Sequence, residues 1–283
     1  MTELHLDRDP HIERPEIRQT SLLTQSLAIV RRNLIHIKRM PEMLMDVTIQ
    51  PVMFVVLFAF VFGGSIRVAG AASGYREWLL GGIMGQTIAF ASFIVAVGLT
   101  ADIDKGIVDR MRSLPINSAA VLVGRSISSL IHSSIGIVVM SVTGLFIGWR
   151  IHGSVVEALG GYALLLLWGV AMIWLGILVG SAMRSVEAVQ GVMFTTIFPL
   201  TFLSNAFAPT ERMTPVLRTL AEWNPISALV QGVRELWGNT TAAPADAALP
   251  LQHPVVATLI WTVGLTAVLA PLAIRAFRRR TSS

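Results

Sequence analysis

The residues in this chain that could carry chemistry are few and scattered. His132 is the only histidine inside a long apolar segment, and Ser128, Ser129, Ser133 and Ser134 surround it. A histidine among serines could supply a nucleophile and its base, but that arrangement needs a third group to orient the imidazole. No acidic residue lies near His132 in sequence. The plainer reading is a hydrogen bond between packed helices. Arg125 extends the same polar stripe to one end of the segment, where a long cationic side chain can snorkel out of lipid. The chain contains no Gly-x-x-x-x-Gly-Lys-Ser/Thr phosphate cradle, no His-Glu-x-x-His and no Gly-x-Ser-x-Gly. With no cysteine, thiol catalysis and Cys-ligated zinc are excluded. The sequence therefore assigns no catalytic residue and no metal ligand. An intramembrane enzyme built on His132 is the alternative that replacing this histidine would test.

A second group of residues suits recognition of an apolar molecule. Phe194, Phe198 and Phe202 recur every four residues, and Pro199 can kink the helix that carries them. Gln86, Thr87, Phe90, Ser92 and Phe93 form a mixed polar and aromatic set in an earlier apolar segment. Aromatic stripes more often serve packing or face lipid. As lining for a substrate path, the candidates are Gln86, Phe90, Phe194, Phe198 and Phe202. Buried ionisable groups, which a proton- or sodium-driven carrier needs, are absent from the middle of the apolar segments. That leaves an external energy source, a passive channel or a non-transport role.

The elements that would position these groups follow from composition. The chain has 283 residues, 53% of them apolar and 14% charged, with a mean hydropathy of +0.66. A soluble domain carries about 25% charged residues. A spanning helix needs about 20 apolar residues, because the hydrocarbon core is about 30 Å thick. Six stretches qualify, at about 47–65, 79–101, 119–148, 158–182, 186–208 and 255–276. Met183, Arg184 and Ser185 form a turn that makes a hairpin of the fourth and fifth. Gly81 with Gly85, and Gly176 with Gly180, are small-x-x-x-small pairs that permit close helix approach.

Orientation follows the basic residues. Arg31, Arg32, Lys38, Arg39, Lys105, Arg110, Arg112, Arg184, Arg275, Arg278, Arg279 and Arg280 fall on one side of a six-span arrangement. The positive-inside rule makes that side, and both termini, cytoplasmic. Arg67, Arg76, Arg150, Arg212, Arg218 and Arg234 fall outside, with Glu77, Glu157, Glu211, Glu222 and Glu235. Trp78, Trp149, Trp237 and Trp261 lie near the outer span ends, as an interfacial belt would. The net charge of +5 and pI near 10.6 then report attraction to anionic lipid, not to nucleic acid.

Three further pieces complete the pattern. Residues 1–20 read as a flexible cytoplasmic tail, and 21–283 as one membrane domain. Between Ser21 and Met40, Leu23, Leu27, Val30, Leu34 and Ile37 mark one face of a basic amphipathic helix lying in the inner interface. Pro41 breaks it. The segment Asp102–Asn117, DIDKGIVDRMRSLPIN, places Ile103, Ile107, Met111 and Leu114 on one face of a short helix that Pro115 ends. It reads equally as a helix lying on the bilayer or as a docking helix for a cytoplasmic partner. The outer segment Pro209–Pro254 is cut by prolines into two short helices, Met213–Trp223 and Ile226–Gly238, forming a small cap.

These pieces together resemble the membrane subunit of an ABC-2 type transporter, of the daunorubicin/doxorubicin-resistance type. The resemblance is carried by RMPEMLMDVTIQP at Arg39–Pro51, DIDKGIVDRMRSLP at Asp102–Pro115, and FLSNAFAPTERMTPVLRTLAEWNPISALVQGVRELWGN at Phe202–Asn239. The last is the most specific, through Asn224-Pro225 and Gly232-x-Arg234-x-x-x-Gly238. Thr214 departs from the pattern, which often has proline directly after the methionine.

The resemblance implies an all-α polytopic protein with six spans, an N-terminal interfacial helix, a short coupling helix and an extracellular cap. It implies a permease of an ATP-driven exporter, effluxing amphipathic drugs or hydrophobic metabolites, with export of lipid or glycan, or a non-transporting role, as alternatives. A separate ABC ATP-binding subunit would use ATP and Mg, this chain binding no cofactor. Two copies would form the path in the cell membrane, in contact with lipid. Asp104, Gly106, Ile107, Arg110, Met111, Leu114 and Pro115 would seat in the ATPase. Arg31, Arg32, Lys38 and Arg39 would anchor the interfacial helix that helps transmit its closure.

Overall fold

The computed structural model describes residues 30, 31, 35, 45–61, 74–106, 118–240 and 243–282. Among them every regular element is helical. The elements are α1 (Met45–Val61), α2 (Tyr75–Asp104), α3 (Ser118–Phe146), α4 (Val155–Ala182), α5 (Val186–Phe202), a 3-10 turn (Thr210–Arg212), α6 (Pro215–Glu222), α7 (Pro225–Leu236), α8 (Leu249–Gln252) and α9 (Pro254–Ser282). Among the described residues, four helices are long and apolar enough to cross a membrane: Tyr75–Asp104, Ala120–Phe146, Val155–Ala182 and Pro254–Arg280. α1 and α5 are apolar but only 17 residues each.

Helix ends are set by local chemistry. Ser154 caps α4 in a capping box: its hydroxyl accepts from Glu157 N at 3.3 Å, and its own N–H donates to Glu157 Oε2 at 2.7 Å. Ser185 caps α5 through Ala188 N, and Asn224 caps α7 through Ile226 N. Pro215 and Pro225 occupy first helical positions, where the missing N–H costs nothing.

The centre of the bundle is α2 against α4, with α9 along α4 and α7 wedged between them at one end. Apolar burial cannot hold helices together in lipid, so close backbone approach must. A Cβ on Gly176 would lie 2.3 Å from the Ser92 carbonyl oxygen, and one on Gly180 would lie 2.6 Å from that of Ala96. The small pair on α4 thus meets the small pair Ser92 and Ala96 on α2. Thr100 then donates across the contact to the Gly180 carbonyl at 2.9 Å.

Two expectations change here. The bend at Met183–Ser185 does separate α4 from α5, yet α5 packs chiefly along α2 and barely touches α4. The α4 face that a hairpin partner would need is already taken by α2 and α9. Trp78, Trp149 and Trp237 lie at helix ends but are buried, not lipid-facing. The indole N–H of Trp149 donates to Asn239 Oδ1 at 2.8 Å, and that of Trp237 to the Ala158 carbonyl at 3.2 Å. Partners inside the protein replace the headgroups that a belt would use.

Candidate functional site

Three of the five residues selected for a substrate path meet at one cavity. Gln86, Phe90 and Phe194 line an open cavity of about 310 Å³ between α1, α2 and α5. Gln50, Phe54, Thr87 and Phe93 complete most of its wall. The α1 contribution, Gln50 and Phe54, was not singled out in sequence, because apolar residues run round most of that helix and mark no one face. Thr87 is turned back on its own helix, donating to the Ile83 carbonyl at 2.9 Å. Gln86 keeps its amide for whatever occupies the cavity.

Phe198 and Phe202 do not line this cavity but extend it as a ladder of rings. Phe194 and Phe198 stack with centroids 5.0 Å apart, Phe198 and Phe202 at 4.2 Å, and Phe202 and Phe207 at 5.0 Å. Phe207 meets Phe58 at 5.0 Å, and Phe58 meets Phe54 at 5.9 Å, returning to the cavity wall. Offset aromatic packing of this kind favours planar apolar guests over hydrated ones.

At the far end of α2 the chain enters the segment expected to couple to a partner. Asp104 accepts from Arg280 Nη2 at 3.0 Å. Arg280 also donates through Nη1 to the Gly180 carbonyl at 2.8 Å and to that of Met183. Asp102 pairs with Arg125, so Arg125 does more than snorkel. α3, the α4–α5 turn and α9 are therefore all tied to the root of this segment. Gly106 ends the described part of it at φ +65°, a conformation that favours glycine. Ile107, Arg110, Met111, Leu114 and Pro115 lie outside the described residues, as do Arg32, Lys38 and Arg39. Arg31 is exposed on a helical turn beside buried Val30.

Two of the serines around His132 spend their hydroxyls on their own helix. Ser128 donates to the Gly124 carbonyl and Ser134 to that of Leu130, each at 2.8 Å. No group of three metal-ligating side chains occurs among the described residues.

Sequence reasoning missed the most unusual residue. Arg234, assigned to an outer basic set, is fully buried on α7. Its guanidinium donates from Nε to the Trp78 carbonyl at 2.7 Å, from Nη1 to that of Asn205 at 3.0 Å, and from Nη2 to that of Ala206 at 3.0 Å. It also lies over the Trp78 ring, 3.3 Å from the centroid. Desolvation pulls its pKa well down from the ordinary value, but an arginine starts high enough to keep its proton. Asn224 supplies two more bonds to this region, donating to the Leu200 and Leu203 carbonyls at 2.6 Å each. α7 thereby satisfies the carbonyls that α5 leaves open where it ends. The signal available in sequence was a cation nearly three turns after an Asn-Pro pair, amid apolar residues.

Comparison with known proteins agrees with this architecture. Residues 24–236 match the family model described as ABC-2 type transporter. The chain is 27% identical over 270 residues, 95% of this chain and 91% of the relative, to the daunorubicin resistance ABC transporter permease protein DrrB1 of Streptomyces coeruleorubidus. It is 27% identical over 235 residues to the putative transport permease ycf38 of Porphyra purpurea, covering 80% of this chain and 78% of that one. It is 24% identical over 233 residues to the probable doxorubicin resistance ABC transporter permease protein DrrC of Mycobacterium tuberculosis, covering 82% and 80%. The family match spans most of the chain, from α1 through α7 with the cavity walls and the buried arginine, so the chain belongs to the ABC-2 type transporter family and is a multi-pass membrane permease.

Proposed function

We propose that this permease exports amphipathic, largely apolar molecules, planar drugs among them, using ATP hydrolysed by a separate ABC subunit. The observation that carries this reading is the cavity of about 310 Å³ walled mainly by aromatic and aliphatic side chains, with Gln50, Gln86 and Thr87 as its few polar members. Such a site suits a molecule with an aromatic body and few polar groups. A hydrated glycan would need more hydrogen-bonding side chains. The drug-resistance names of the relatives support the same class.

In this reading six helices cross the cell membrane, with α1 and α5 as the shorter crossings, and both termini are cytoplasmic. Helices of 17 residues rise about 25 Å, a mismatch that local thinning of the bilayer accommodates. Residues 21–283 form one membrane domain and 1–20 a tail. Two copies enclose the path. The loop after Asp104 seats in the ATPase through Ile107, Arg110, Met111 and Leu114, bounded by Gly106 and Pro115. The basic helix carrying Arg31, Arg32, Lys38 and Arg39 lies on the inner leaflet.

Closure of the ATPase dimer moves the loop. Arg280 and Arg125 pass that movement to α9, the α4–α5 turn and α3, while the contacts of Arg234 keep the opposite end rigid. Export requires the guest to bind the inward state better than the outward one. The test is transport into inverted vesicles containing the permease and its ATPase. Gln86→Ala and Phe194→Ala should change substrate preference while leaving assembly intact. Unchanged transport of every substrate by both variants would reject this cavity as the path.

A further inference from the structure

The turn between α3 and α4 is fastened to the rest of the fold by a cluster that holds one buried carboxylate. Glu77, in the first turn of α2, accepts through Oε2 from His152 Nε2 at 2.8 Å. An ionised carboxylate only accepts, so Nε2 carries its proton in either charge state of the ring. A second, longer donor to Glu77 is the Asn239 amide, at 3.4 Å. The same amide donates to the Arg150 carbonyl at 2.8 Å, and His152 N donates to the Trp237 carbonyl at 2.8 Å. A Cβ on Gly238 would lie 3.0 Å from that of His152. The start of α2, the α3–α4 turn and the end of α7 thus meet at one point.

What sets this point apart is its access to water. The Glu77 side chain is 8% exposed and that of His152 is 48% exposed, so the imidazole stands between the carboxylate and solvent. A buried carboxylate is costly without a cation. Imidazole gains its charge between about pH 8 and pH 5, and a charge-assisted hydrogen bond is about twice as strong as a neutral one. The other charged and titratable groups on the elements that meet here are engaged elsewhere. Arg76 lies over the Phe60 ring, and Arg150 donates to the Leu145 and Trp149 carbonyls. Glu157 is held in the α4 capping box, Arg234 by its three carbonyls, and Glu235 accepts from Gln231 at 2.7 Å. The Tyr75 hydroxyl donates to the Phe207 carbonyl, and Tyr162 shares a hydrogen bond with Ser141. A proton taken from solvent at His152 therefore acts directly on a bond between two elements. For α2, which carries the cavity wall, to part from α3 and α4 at this end, the turn must let go.

We infer that Glu77 and His152 form a proton-responsive latch: acid on the outer side charges His152, tightens the α3–α4 turn onto α2 and slows outward opening. The gating role and the outward orientation rest on the exporter reading, whereas the latch itself rests on the geometry. His152→Gln keeps an amide donor for Glu77 but takes no proton, and Glu77→Gln removes the charge that an imidazolium pairs with. Hydrogen exchange at His152 N and Gly153 N, both donated to the Trp237 carbonyl, reads the latch in the purified full-length permease once corrected for the intrinsic pH dependence of exchange. Protection in the native protein should be several-fold greater at about pH 5.5 than at about pH 7.5, and equal at both in each variant. Inverted vesicles carrying the permease with its ATPase read the gating, because their lumen is the outer side. Unsubstituted anthraquinone is the probe, since it has no titratable group and acid does not trap it. ATP-driven uptake by the native complex should fall several-fold when the lumen is acid, and His152→Gln should hold the neutral rate throughout. Equal protection at both pH values in the native protein would overturn the latch, as would a pH response that survives in His152→Gln. A normal exchange response with uptake indifferent to lumenal pH would overturn the gating role. A normal exchange response with no ATP-driven uptake at any pH would count against the exporter reading and leave the latch in place.

Discussion

Arg234 shows how one side chain can replace many weaker contacts. Three carbonyls from two separate segments converge on its planar donors, a geometry that lysine cannot reproduce with one ammonium. Arg234→Met should cost about 3 kcal/mol or more, because buried carbonyls lose their donors. Arg234→Lys should recover only a fraction of that. Thermal unfolding of the purified permease in detergent checks the ranking, and equal stability of the lysine form and the native protein would contradict it. Gly82 belongs to the same assembly. A Cβ there would sit 1.9 Å from the Ala206 carbonyl oxygen, so Gly82→Ala should lower the unfolding temperature by displacing the carbonyl that Arg234 holds.

Among the elements, the cap and the coupling segment behave differently. The cap is held partly by the exposed Arg218–Asp246 pair, in which hydrogen bonding to Arg218 lowers the Asp246 pKa from its ordinary value. A carboxylate depressed in the folded state contributes above its unfolded pKa, and that contribution is lost as pH falls through the folded one. Asp246→Asn should therefore flatten the acid side of the stability profile of the cap, a modest effect because the pair is in water. Unfolding temperatures measured from pH 7 down to pH 3 for both forms test this. The coupling segment calls for a functional readout. Placing aspartate at both Ile107 and Met111 should abolish substrate-stimulated ATP hydrolysis by the complex while the permease still reaches the membrane. Normal stimulation in that variant would remove Ile107 and Met111 from the contact.

For the whole molecule, the cavity between α1, α2 and α5 is partly open, which suits a path completed by a second copy. Purification in mild detergent from the native host should yield two permease copies with a soluble subunit carrying a Walker phosphate loop. Native mass spectrometry reads that stoichiometry directly. A folded permease that repeatedly emerges without any ATPase would contradict the exporter reading.

The apolar segments, the turn at Arg184 and the prolines that cut the cap were all legible along the chain, because each depends on neighbours within a few residues. Gln86, Phe90 and Phe194 were legible as types, since amides and aromatic rings stand out in apolar helices. Their meeting was not, because it required α5 to leave its hairpin partner and lie along α2. Neither could local pattern reveal that Trp149 and Trp237 face inward or that Arg234 is buried. Membrane helices pack by backbone closeness and polar satisfaction across the fold. A helix is oriented by whichever distant carbonyl or carboxylate completes its hydrogen bonds, and that partner is fixed only in three dimensions.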